Sequence, residues 1–242
     1  MVVHMNKRSI FIGLAVIALL VITGCTFEKK AEVKSDALKF KEEYESINGE
    51  KIPDTEYKVR TLNIPEENPF VYVTANDIVS MMDNNETFVV YFGFAKCPWC
   101  RSVLPTLLEV SSKLNVEKIY YVDVSEIRNT LEVDEDGNVV TVKEGSEGYL
   151  GLLNRLDNVL ENYTLTYNDE EVDTGEKRIY APNIVSVVNG EAKELETGIS
   201  EKQKNPYEKL TDDMKKDTYN KFTCVIKCTL ENKNSCYYKN AC

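Results

Sequence analysis

The sequence predicts an α/β domain, and three observations carry that prediction. Residues Thr87 to Phe94 form a continuous apolar run rich in aromatic and β-branched side chains, the pattern of a strand buried on both faces. A helical pattern begins almost at its end and places Val103, Leu104, Leu107, Leu108, Val110 and Leu114 at helical spacing. Further strand-like runs, Lys118 to Val124 and Ile184 to Val188, follow on the far side, so that strands and helices alternate.

At the start of the chain, Lys7 and Arg8 precede an apolar run from Ile10 to Ile22. Its thirteen residues suit the core of an export signal and fall short of the ~20 that span a bilayer. Ile22-Thr23-Gly24-Cys25 comes next and resembles the bacterial lipobox. That resemblance implies a signal peptide over residues 1–24, a lipid anchor on Cys25, and a place at the cell membrane on its extracytoplasmic face. A short uncleaved transmembrane helix and a plain secretory signal are the other readings of the run, and both put the rest of the chain outside the cytoplasm. Residues 25–50 are rich in Lys and Glu, with weak helical spacing at Leu38, Phe40, Tyr44 and Ile47, and read as a solvated tether.

Composition narrows the chemistry. The 218 residues left after cleavage are enough for one elaborated domain, expected over 51–200 and followed by a Cys-rich extension over 201–242. Losing Lys7 and Arg8 leaves 27 basic against 40 acidic residues, a field that repels phosphate backbones and excludes nucleic acid as a partner. The only histidine, His4, lies in the segment to be removed, so Ser-His-Asp triads, Cys-His proteases and His-ligated metals are ruled out. Seven cysteines direct attention to thiol chemistry.

Phe70 to Val73 reads as a short strand, and Thr74 as the cap of a helix over Ile78, Val79, Met81 and Met82. A turn at Asp83 to Glu86 leads into the Thr87 to Phe94 strand. Ala95-Lys96-Cys97-Pro98-Trp99-Cys100-Arg101 then stands at the strand-to-helix junction. With Cys97 near the N-cap and Pro98 at the first helical position, unpaired amides and the positive end of the helix dipole face the Cys97 sulfur. Those conditions favour the thiolate, the form that attacks disulfides, and Lys96 and Arg101 add positive charge nearby. Cys100, one turn on, is placed to close a small disulfide with Cys97 and so release a mixed-disulfide intermediate.

At these residues the chain resembles the thioredoxin superfamily. Pro105 matches that family's proline inside the active-site helix; Lys118 to Val124 matches the next parallel strand. Ile179-Tyr180-Ala181-Pro182 stands before Ile184 to Val188, with a turn at Asn189-Gly190, a strand from Ala192 to Leu195, and Gly198. The resemblance implies a cis peptide at Pro182. It also implies roles in substrate binding for Trp99, exposed beside the cysteines, for Pro182, and for the Ala181 backbone, which would bond an extended segment in strand fashion. Over Thr87 to Val124 the sequence is similar to the bacteriocin transport accessory and maturation group. It departs from the superfamily at Tyr91, where thioredoxins hold a buried aspartate that takes the proton of the second cysteine; a tyrosine, with a reference pKa of ~10, is a poor base. The second departure is an insertion at about 125–178, ahead of the Pro182 strand. Within it, Leu131 to Val142 around Asp136-Gly137 reads as a β-hairpin rather than a calcium loop, and Tyr149, Leu152, Leu153, Leu156, Val159 and Leu160 form a helical stripe. A helix-containing insertion at this point is similar to that of the periplasmic disulfide oxidoreductases.

Cys224, Cys228, Cys236 and Cys242 read as two disulfide staples. Three pairings exist; the nested one, Cys228 with Cys236 and Cys224 with Cys242, is favoured because neighbouring helical positions pair poorly. A four-cysteine zinc site is the rival. Taken together, the expectation is a membrane-anchored thiol-disulfide oxidoreductase with Cys97 as nucleophile and Cys100 as resolving thiol, needing no metal and no cofactor beyond that pair. Its partners would be exported proteins or peptides carrying thiols or disulfides, and a redox partner that resets it. The alternative is a redox-inactive binding module for an exported peptide or protein, its Cys-x-x-Cys a fixed disulfide.

Overall fold

The structure, a computed structural model, describes residues 34–231. The export signal, the lipobox with Cys25, and Cys236 and Cys242 lie outside the described residues. Among the described residues no helix is long and apolar enough to cross a membrane.

The strands expected at the centre of the chain form one mixed sheet. It contains β1 (Phe70–Tyr72), β2 (Phe88–Gly93), β3 (Ile119–Asp123), β8 (Asn183–Val188) and β9 (Glu191–Glu196), in the order β1-β3-β2-β8-β9. The first three run parallel, and β8 and β9 are antiparallel to their neighbours. β2 is buried along its whole length because both faces of the sheet are covered. Val89 and Tyr91 point to one face, and Phe88, Val90 and Phe92 to the other.

The helices sort onto these two faces. α1 (Asp36–Glu45), α3 (Pro98–Lys113) and α5 (Asp212–Leu230) cover the Tyr91 face, whereas α2 (Ala75–Asp83) and α4 (Glu147–Arg155) cover the other. Thr74 caps α2 with a full capping box, its hydroxyl and the Asp77 carboxylate each accepting a backbone N–H of the other residue. The sequence expectation of an α/β domain therefore holds, with a five-stranded sheet between two helical layers.

Both expected domain boundaries shift outward. Residues 36–45 are a helix in the core, not a solvated tether: Phe40 and Tyr44 are fully buried, and the Phe40 ring stacks on Phe70 at 4.0 Å. The boundary at residue 200 gives way as well, because Phe222, Val225 and Ile226 of α5 complete the same core. Gly198 makes that packing possible. It sits at φ +70°, and a Cβ there would come within 2.0 Å of the Phe222 ring. Phe40→Ala should thus cost about 3–5 kcal/mol, as for large-to-small changes in a core. A guanidinium midpoint unchanged from wild type would mean α1 is only an appendage.

The insertion contains two hairpins and a helix. β4 (Thr130–Val133) pairs with β5 (Val139–Lys143) as expected, α4 follows, and β6 (Glu161–Tyr167) pairs with β7 (Glu170–Arg178). The helix is shorter than the apolar stripe implied. Leu156 and Leu160 are buried but lie past its last residue.

Candidate active site

β2 ends at Gly93 and, four residues later, Cys97 caps α3 with extended backbone (φ −68°, ψ 115°). Its sulfur accepts the Cys100 backbone N–H at 3.2 Å, and Pro98 fills the first helical position, where an N–H has no partner to lose. Pro105 lies inside α3 as expected. The approach to Cys97 is fixed from behind by its own N–H, which donates to the Phe94 carbonyl at 3.1 Å.

The antiparallel register of β2 with β8 brings a second segment to the same point. Phe92 pairs with Asn183, so the residues just before β8 stand beside the end of β2. The Ala181–Pro182 peptide is cis, and when Cys97 is protonated its thiol donates to the Ala181 carbonyl at 3.3 Å. Cys97, Cys100, Trp99, Ala181 and Pro182, far apart in the sequence, are thus gathered in one place. Trp99 is half-buried against the core rather than exposed, and its carbonyl accepts the Ser102 hydroxyl.

Both cysteines are free thiols, with opposite tendencies. The Cys100 thiol, donating to the Cys97 sulfur, holds Cys97 below the ordinary thiol range; burial opposes this, while the Cys100 and Trp99 backbone N–H groups and the Arg128 charge assist. Burial pushes Cys100 well up, and the neighbouring Cys97 sulfur adds to the effect. One sulfur is prepared as a nucleophile and the other is held as a protonated thiol.

The positive charge acting on Cys97 does not come from the residues the sequence suggested. Lys96 is exposed, and the Arg101 guanidinium is turned away into the core, where it donates to carbonyls of Tyr44, Arg60 and Ala95 and to the Asn48 side chain. Arg128 supplies it instead, from the start of the insertion, with its guanidinium 5.3 Å from the Phe94 ring centroid. Nothing local in the sequence marks this residue, which reaches the site only through the fold.

Tyr91 of β2 lies behind the pair. Its hydroxyl lies by the Cys100 thiol, buried and without a well-formed hydrogen bond, as are the Tyr44 and Tyr121 hydroxyls in the same cluster. Burial pushes the Tyr91 hydroxyl far above its usual value, so it cannot accept the Cys100 proton near neutrality. It can donate, and in that role it favours a Cys100 thiolate as one forms. Gly93 leaves it room: a Cβ there would come within 2.8 Å of the Tyr91 ring.

Cys224 and Cys228 lie on α5 and are disulfide-bonded. The partners that the nested pairing expects for them, Cys236 and Cys242, lie outside the described residues. Among the described residues there is no cluster of three or more His, Cys, Asp or Glu able to hold a metal ion. No protein-family model matches the chain, and no curated protein matches it significantly.

Proposed function

We propose that this protein is a membrane-anchored, extracytoplasmic thiol-disulfide oxidoreductase of thioredoxin-like fold. The observation that carries this reading is the unequal preparation of two adjacent thiols. Cys97 sits at a helix N-cap with its pKa lowered, and Cys100 is buried behind it with its pKa raised. A sheet with a parallel half and an antiparallel half, a Cys-x-x-Cys at the end of its central strand, and Ala181-cis-Pro182 facing the first cysteine support the fold assignment. The lipid anchor at Cys25 rests on the lipobox alone.

The geometry supports the following reaction. The Cys97 thiolate attacks one sulfur of a substrate disulfide, forming a Cys97 mixed disulfide and expelling the other substrate sulfur as a thiolate, which takes up a proton. Cys100 then gives up its proton, assisted by the Tyr91 O–H, and attacks the Cys97 sulfur. A Cys97–Cys100 disulfide forms, and the second substrate sulfur leaves with the released proton. Two electrons pass from the protein dithiol to the substrate disulfide. Run backwards, the same steps oxidise substrate thiols, and a redox partner resets the pair. The substrates are exported proteins or peptides, reached beside the partly exposed Trp99 and Ala181, with Pro182 buried beneath them.

The test is exchange with bis(2-hydroxyethyl) disulfide. Wild-type protein should oxidise to an internal Cys97–Cys100 disulfide, and Cys97→Ser should lower the rate by at least about 10³-fold, because no other thiolate is placed to attack. A Cys97 inert to both this disulfide and iodoacetamide would leave the Cys-x-x-Cys a structural feature and the domain a binding module.

A further inference from the structure

We propose that Arg128, seconded by Arg178, forms a carboxylate-binding site beside Cys97 that selects disulfide partners carrying an acidic group next to the reacting sulfur. This rests on the oxidoreductase reading and names its substrate class.

Arg128 is half-buried, and its Nε is fully shielded from solvent with no hydrogen-bond partner. Among the described residues no carboxylate pairs with either arginine. Arg178 stands close enough to Arg128 to disfavour its charge, and is itself held by the Asn129 carbonyl at 3.1 Å and by the Tyr163 ring at 4.0 Å. Two guanidiniums kept together without a carboxylate are costly, in a chain whose net charge is −11 and where acidic side chains are plentiful. The free thiolate of Cys97 compensates one of the two charges. Once Cys97 enters a mixed disulfide its charge is gone, and both arginines are uncompensated at the step when the substrate is covalently held. A substrate carboxylate would pair with the Arg128 guanidinium at that moment through its Nη donors, which no side chain or carbonyl among the described residues engages in a hydrogen bond.

The full chain, reduced, should be oxidised by three small disulfides that differ in charge: 3,3′-dithiodipropionate, bis(2-hydroxyethyl) disulfide and cystamine. Wild type should react faster with the anion than with the cation at low salt, although the overall acidity of the protein favours the cation. Arg128→Gln should reduce that anion-to-cation ratio by about tenfold, Arg178→Gln by less, and Arg128→Lys should restore part of it. The ratio is the informative quantity, since any change in Cys97 nucleophilicity acts on all three probes alike. An equal ratio in wild type and Arg128→Gln overturns the carboxylate site while leaving Cys97 an active thiol toward the neutral probe. Failure of all three probes to oxidise Cys97 removes the oxidoreductase reading and this site with it.

Discussion

Cys100→Ser should convert a transient mixed disulfide into the dominant form of Cys97, and recovery of the adduct from cells should identify the natural substrate. The attacking thiolate is intact in this variant, and only the sulfur that resolves the adduct is missing. Cys97→Ser should trap nothing, because Cys100, in α3's first turn, is fully buried and protonated. The pH dependence separates the two thiols in the same direction. For Cys97 the pKa is lowered, so alkylation should switch on as pH rises through a midpoint below the ~8.5 of a free thiol, and switch off as pH falls below it. For Cys100 it is raised, so no reaction should be seen near neutrality in the folded protein. Cys100→Ser should also move the Cys97 midpoint up toward the ordinary value, since the largest influence lowering it is the hydrogen bond from the Cys100 thiol. A Cys100 that alkylates first, or an adduct that forms in Cys97→Ser and not in Cys100→Ser, would reverse the two roles while keeping the fold.

How far this site could be read from the sequence depended on whether each part was local. The N-cap cysteine, Pro98 and the strand that delivers them form a contiguous signal, because helix N-terminus chemistry is decided within one turn. Pro182 was legible through the hairpin that follows it. Arg128 was not, because the segment that carries it has neither apolar periodicity nor a motif, and its approach to Phe94 is a tertiary contact. The β6–β7 ribbon escaped for a related reason. Its strands are largely exposed on both faces, so the apolar alternation that marks a half-buried strand is absent. α1 and α5 were misjudged on composition. Each is dominated by charged and polar residues and contributes only a narrow stripe to the core, Phe40 and Tyr44 in one and Met214, Thr218, Phe222, Val225 and Ile226 in the other. A few large side chains at helical spacing were enough to anchor them, which average polarity does not register.

Arg101→Met should be the most destabilising single change near the site, at about 3–5 kcal/mol, although it removes a charge that touches neither cysteine. The side chain is 1% exposed, and among the described residues no carboxylate pairs with it. Its donors instead fill the carbonyl of Tyr44 at 2.8 Å, that of Ala95 at 3.0 Å, that of Arg60 twice, and the Asn48 side-chain oxygen at 2.6 Å. Three separate segments, α1, the loop after it, and the turn leading into Cys97, are tied to α3 through this one group. Methionine matches the length of the stem but removes the Arg101 donors from the Tyr44, Ala95 and Arg60 carbonyls, while the Asn48 oxygen keeps the Leu62 N–H at 3.0 Å; each buried carbonyl left without a donor costs about 1–3 kcal/mol unless water reaches it. Asn48→Ala should cost less than Arg101→Met, because it removes one acceptor and the bonds that Asn48 exchanges with Leu62, leaving the Arg101 bonds to Tyr44, Arg60 and Ala95 in place. The loss should also reach the chemistry. Ala95 lies two residues before Cys97, so freeing its carbonyl loosens the turn that aims the sulfur at the N-terminus of α3, and the Cys97 alkylation midpoint should rise. Denaturant midpoints and alkylation profiles measured on the same variants check both halves. A variant that is destabilised with an unshifted Cys97 midpoint would confine Arg101 to holding the fold together, and one as stable as wild type would show that the carbonyl cage closes without it.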